Sequence, residues 1–284
     1  MTLIRYPGSK AKLVDRIVDW FPEQFVEPLF VSRNAHYIEP FFGSGAVGFH
    51  VMERMHCAAS VTIADLDVGI VSLWKSVLSQ PRSLIRKIIN FVPTVEQFYR
   101  LKQSDGEFTD EVDTGFRKLA LHRLSVSGFG VMAGGPIGGR KQLGAYTVGC
   151  RWKPQRMALC IARLHKLLKK FARLQILHSS VFDVLTGIQS ANDETFVYLD
   201  PPYFEKGSQL YKFGFSPNDH TALARVLMGA AYGWTASYDD HPEIRKLYSG
   251  CNFQELEIIY SNAVCREAIR PKNREVLIIP ATHA

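Results

Sequence analysis

Apolar and polar positions along this chain of 284 residues fall into two alternating rhythms. Short β-branched or aromatic runs, punctuated by Gly, Pro, Asp or Asn, read as strands at His36–Pro40, Ala59–Ala64, Leu174–His178, Phe196–Leu199 and Trp234–Tyr238. Glu255–Tyr260 and Val276–Pro280 read as a closing antiparallel pair. Apolar positions three and four apart predict helices over Leu13–Trp20, Val47–Met55, Ile70–Leu78, Ala158–Phe171 and Asn218–Met228. Strand following helix following strand predicts an α/β fold, a mostly parallel sheet with helices on both faces.

One interval breaks the rhythm. The acids ending two of these strands, Asp65 and Asp200, are 135 positions apart, whereas two successive strand–helix units need only about 60. The surplus predicts an insertion over residues 80–172, which leaves 1–79 and 173–284 as the sheet domain. Its first half looks helical, with Thr94 placed to cap a helix. Its second half, Ser127–Arg151, is rich in glycine and lacks any acid, which reads as a hairpin or loop lying against something else.

The sharpest chemical signal is Asp200-Pro201-Pro202-Tyr203 behind the apolar run Phe196–Leu199. Two prolines forbid further strand, because each removes a backbone donor and fixes φ. An acid is thereby held at the carboxyl end of a strand, the edge where open α/β sheets bind ligands. Glu39-Pro40-Phe41-Phe42-Gly43-Ser44-Gly45-Ala46 joins a predicted strand to a helix, and Gly43 and Gly45 permit a tight turn close to a ligand. Asp65, at the end of the next strand, is placed to accept hydrogen bonds from two ribose hydroxyls. No pyrophosphate cradle accompanies it, which points to S-adenosylmethionine. Arg5–Lys10 has a plainer account as a surface turn, and Asp183 suits either a helix cap or an adenine amine.

Composition adds less. The formal net charge of +7 and a pI near 9.1 are compatible with a polyanionic partner. Five scattered cysteines form no CxxC pair, so reduced thiols in a cytoplasmic protein and no metal site are expected. No signal peptide and no membrane segment are expected either.

Taken in order, YPGSK, EPFFGSGA, ADLD, SVFD and DPPY resemble the motifs of the Dam-type (group alpha) DNA adenine-N6 methyltransferases, over almost the whole chain from Arg5 to about Ile278. The resemblance implies a Rossmann-like methyltransferase sheet with a mostly helical DNA-recognition insertion. It implies methyl transfer from S-adenosylmethionine to the N6 amine of an adenine flipped out of duplex DNA. Asp200, Pro201, Pro202 and Tyr203 match the catalytic tetrapeptide. Tyr6, Lys10, Glu39, Phe41, Gly43, Gly45, Asp65, Asp183 and Asp200 are the expected cofactor contacts. Arg123, Arg140, Lys141, Arg151 and Lys153, with Arg156, are the candidate DNA contacts, and Arg270, Lys272 and Arg274 are further candidates for phosphates. The stretch Arg123–Arg140 departs from the asparagine-rich pattern associated with GATC targets, so no target sequence follows. A separate restriction endonuclease is a possible partner in a bacterial or phage setting. Other readings are an enzyme acting on cytosine N4 or on protein glutamine, and a non-catalytic DNA-binding relative. The leading Asp of the tetrapeptide argues against the first two, and the intact motifs argue against the third.

Overall fold

A computed structural model of the chain describes residues 3–5, 8–26, 32–104, 106–107, 109–188, 194–204, 214–256 and 275–281. Its centre is a seven-stranded sheet. The strands are β1 (His36–Glu39), β2 (Ser60–Asp65), β3 (Arg173–His178), β4 (Thr195–Leu199), β5 (Gly233–Asp239), β6 (Cys251–Leu256) and β7 (Glu275–Pro280). They lie in the order β3-β2-β1-β4-β5-β7-β6. The first five are mutually parallel, while β7 runs antiparallel to both β5 and β6.

The order places β1 beside β4, where the sheet changes its direction of growth, so the loops after these two strands splay apart and open a crevice. The glycine turn and the DPPY tetrapeptide are those two loops. All five residues of β4 are buried, as a strand covered on both faces requires. Phe196 and Tyr198 join one apolar layer, and Val197 and Leu199 join the other.

The helices are α1 (Val14–Val18), α2 (Glu23–Val26), α3 (Ala46–Arg54), α4 (Val68–Ser79), α5 (Pro81–Asn90), α6 (Val95–Gln103), α7 (Glu111–Leu124), α8 (Pro154–Leu168), α9 (Val181–Thr186), α10 (Pro217–Met228) and α11 (Pro242–Leu247). Residues of α9, α10 and α11 cover one face of the sheet. Those of α1 to α8 build the other layer. Local chemistry sets several starts: Asp67 caps α4, Thr94 caps α6, and Pro154 opens α8 four residues before the helix expected there.

The segment expected to be an insertion, residues 80–172, shares its core with the rest of the chain. Leu84, Ile88, Phe98, Phe116, Leu119, Met157 and Ile161 belong to the same apolar cluster as Val51 and Trp74 of the sheet domain. Helices α4 and α7 make the most extensive helix–helix contact among the described residues. Gly115 permits it, since a Cβ there would sit 2.6 Å from the backbone N and Cα of Leu73.

The outermost strand differs from expectation. It runs over Cys251–Leu256 and overlaps the expected Glu255–Tyr260 only at its end; residues 257–260 lie outside the described ones. As an edge strand it alternates half-buried Cys251 and Phe253 with polar Asn252, so it lacks the continuous apolar run that marks buried strands.

Candidate active site

The carboxyl ends of β1, β2 and β4 surround a cavity of about 300 Å³ lined with acids, aromatic rings and backbone, including Lys10, Glu39, Phe41, Gly43, Asp65 and Asp200. These are the expected cofactor contacts that the fold brings together. Gly43 and Gly45 take left-handed φ values of 47° and 66°, which turn the chain out of β1 and into α3. Gly45 is not in the cavity wall; its service is the turn itself. Behind it, Trp74 donates its indole N–H to the Gly43 carbonyl at 3.0 Å, and its ring meets Phe42 and Phe49 edge to face.

Asp65 accepts from the Gly43 N–H and the Asp67 N–H, both at 2.9 Å. Burial, then the neighbouring Asp67 charge, pushes its carboxyl up to about 6 despite those two bonds and Lys118. Asp67 is held below the ordinary range: burial opposes its charge, but Lys118 Nζ at 2.6 Å and the Gly69 N–H outweigh it. Lys118 comes from α7, so that helix supplies part of the cavity wall. His122, one turn further along α7, is also in that wall; burial, then Lys118, drives it down to about 3, and its Nδ1 lies 2.9 Å from the Arg5 carbonyl oxygen. Buried Glu39 receives the Tyr37 hydroxyl at 2.8 Å, and loss of solvation raises its pKa well above the carboxylate range.

Asp200 is held by two side chains. Its Oδ1 accepts from Lys10 Nζ at 2.6 Å and from Ser237 Oγ at 2.9 Å, and Ser237 in turn meets the Tyr198 hydroxyl at 2.9 Å. Lys10 is buried, bonds the Gly8 carbonyl at 3.0 Å, and has Glu275 Oε2 at 3.6 Å. Burial works against its charge, yet Asp200, Tyr203 and Glu275 prevail and raise its pKa well above the ordinary value. The Tyr203 hydroxyl donates to Glu275 Oε1 at 2.6 Å. Pro201 and Pro202 are buried, and Pro202 faces the cavity. The Phe204 amide donates to Asp239 at 2.9 Å, while its ring lies against His220 and His241.

Other expected residues fall elsewhere. Tyr6 lies outside the described residues, as do Arg270, Lys272 and Arg274. Asp183 is exposed in the first turn of α9, where its carboxylate accepts from Ser180, the residue that caps the helix. Ser180 and Phe182 line the cavity; Asp183 does not. Arg123 is buried with its guanidinium on the Leu3 carbonyl, Nε at 2.9 Å, which removes it from the surface cations. Its position near the end of α7, where every residue from Lys118 to Leu124 is buried, explains the correction. Arg140, Lys141, Lys153 and Arg156 are exposed and Arg151 is half-buried. Arg140 lies over Tyr99, 4.7 Å from the ring centroid.

Glu275, Lys118, His122 and Phe215 had no signal in the sequence, because each reaches the site from an element whose position only the tertiary fold fixes. Phe182 did have one, inside the SVFD motif. Phe41, Phe182 and Phe215 form an aromatic group beside the cavity, Phe182 and Phe215 stacked at 6.1 Å.

Sequence comparison matches residues 6–263 to the family of D12 class N6 adenine-specific DNA methyltransferases. The chain belongs to that family. It is thus an adenine-specific DNA methyltransferase with the α/β sheet of its class. Similar curated proteins include the type II methyltransferase M1.LlaDCHI of Lactococcus lactis subsp. cremoris, 21% identical over 96% of this chain and 93% of that protein. The type II methyltransferase M.MjaIII of Methanocaldococcus jannaschii is 24% identical over 89% of each chain. Among the described residues, no helix is long and apolar enough to cross a membrane.

Proposed function

We propose that this methyltransferase uses S-adenosylmethionine held in the cavity at the β1, β2 and β4 edges, and that Asp200 and Tyr203 receive a target adenine flipped out of duplex DNA. The observation that carries the reading is the placement of Asp200 in the wall of the same cavity as Asp65, with Oδ1 fixed by Lys10 and Ser237. The cavity's chemistry fits that cofactor. Glu39, Asp65, Asp67 and Asp200 line it, and its cations, Lys10 and Lys118, are each paired to an acid. Such a wall repels a pyrophosphate and suits a cation bearing hydroxyls and an aromatic base. Asp65 would hold the ribose hydroxyls, Phe41, Phe182 and Phe215 the adenine, and Lys10 the carboxylate end. When bound, the sulfonium supplies an electrophilic methyl group.

The exocyclic nitrogen of adenine is a poor nucleophile, because its lone pair is delocalised into the ring. Asp200 accepts one hydrogen bond from the amine and the Pro201 carbonyl accepts another, which favours a pyramidal nitrogen aimed at the methyl group. Positioning and preorganised acceptors supply most of the acceleration. Tyr203 stacks on the extruded base, since a paired adenine cannot reach the cavity. Residues 80–172 form the target-recognition region of this reading, with Arg140, Lys141, Arg151 and Lys153 on DNA. The names of the two relatives add a restriction-modification setting, with a separate endonuclease that methyl transfer does not need. A DNA substrate is in keeping with a cytoplasmic enzyme, bacterial or phage-encoded.

Transfer of labelled methyl from S-adenosylmethionine to unmethylated duplex DNA, with base-resolved detection, tests the reading. N6-methyladenine within one repeated motif is expected. Label on cytosine, or binding of DNA without any label, would overturn it.

A further inference from the structure

We propose that Glu275, the first residue of β7, is a positioning residue that fixes the ring of Tyr203 for the flipped base. The inference rests on the reading of Asp200 and Tyr203 given above.

A tyrosine that must offer one face to a base gains little if its ring swings freely about two side-chain torsions. Here the phenol is tethered: its hydroxyl donates to Glu275 Oε1 at 2.6 Å, the short separation of a charge-assisted bond. The acceptor is itself rigid. Glu275 pairs with Asp239 of β5 on one side and with Leu256 of β6 on the other, so its backbone is held within the sheet. Its carboxylate is buried, and Oε2 has no hydrogen-bond partner among the described residues. The nearest cation is Lys10, 3.6 Å from Oε2 and 2.6 Å from Asp200. Lys10 Nζ also lies 5.3 Å from the centroid of the Tyr203 ring. One buried carboxylate is thus tied to the base-stacking ring and to the ammonium that engages the catalytic acid. A buried charge of this kind is costly where it serves packing alone, since an apolar residue would fill the same space.

The test is a double-mutant cycle of Glu275→Ala and Tyr203→Phe, read by kcat/KM for duplex DNA and by the fluorescence of 2-aminopurine at the target position. Cofactor affinity is measured alongside. Glu275→Ala is expected to lower kcat/KM by about tenfold to a hundredfold, the worth of one hydrogen bond to a charged group. It should alter the 2-aminopurine signal and leave cofactor affinity within about twofold. Glu275→Gln, whose amide oxygen still accepts from the phenol, should restore most of the rate. On the Tyr203→Phe background, Glu275→Ala should cost about twofold or less. A full, additive loss on that background would overturn the proposal, as would a wild-type rate for Glu275→Ala. If Glu275→Ala does not fold, Tyr203→Phe decides alone: a changed 2-aminopurine signal supports the tether and an unchanged one refutes it. Failure of the wild-type enzyme to form N6-methyladenine would remove the underlying reading and this inference with it. Adenine methylation with an additive cycle would remove only the inference.

Discussion

The carboxyl edge of the sheet and the inserted helices use charge in opposite ways. At the sheet edge, ionisable groups are buried together and paired, Lys10 with Asp200 and Lys118 with Asp67, and they face a cavity. In the insertion, several basic side chains bind the protein's own backbone. Arg123 reaches the Leu3 carbonyl, Arg117 the Leu101 carbonyl, and Lys102 the Ala133 carbonyl. Positive charge in this second region therefore splits into cations that brace the protein's own backbone and cations such as Lys141 and Lys153 that remain exposed. A basic composition measures the sum of the two, and only the second kind is available to a phosphate.

The strongest way to break this contrast is at Asp200. Asp200→Ala should cut methyl transfer by on the order of 10³-fold, with native circular dichroism, because Glu275 and the Gly8 carbonyl still attend Lys10. Retained activity would end the assignment. Next in size is Gly115→Val, which forces α7 away from the Leu73 backbone. It should cost about 3 kcal/mol and lower Tm by roughly 5–10 °C. Gly134→Ala in the glycine-rich segment, with nothing within 4 Å of the new methyl group, should leave Tm unchanged.

A third test uses pH. Asp65 titrates at about 6 in the folded chain, above its ordinary value. On the proposed reading its ionised form accepts from the cofactor's hydroxyls, so affinity should fall about tenfold between pH 7 and pH 5. Asp65→Asn should flatten that dependence in calorimetric titrations. The same group's contribution to folding runs the other way: it is fully present below about pH 4 and is lost as pH rises through 6. The smallest effect concerns salt. Lys153→Ala should reduce the slope of log K for DNA against log salt by about one, whereas Arg123→Ala should lower Tm and leave the slope unchanged.

Most of the sheet edge was legible because its signals are local. A buried run ended by two prolines, and a strand running into two glycines, each dictate their own backbone. The ends of β1, β2 and β4 followed. The start of the edge strand β6 was expected four residues too late because solvent on one side dilutes its pattern with Asn252, Gln254 and Glu255. Arg123 was misread because an arginine shows its charge in sequence but not the carbonyl it meets. Glu275 was invisible for a related reason: an acid at the start of an apolar strand looks like a surface residue until β5 and β6 close around it.

The near-contact of backbones at Gly115 also bears on how such enzymes change what they read. A helix that shares its packing surface with the catalytic sheet cannot be exchanged as a cassette, since a foreign α7 would have to match α4 atom for atom. Chimeras spliced at the edges of residues 80–172 should then express poorly, while grafts confined to the glycine-rich segment keep a working scaffold. On the proposed reading of residues 80–172, a change of target would come from rewriting that one loop in place, with the helices behind it kept intact.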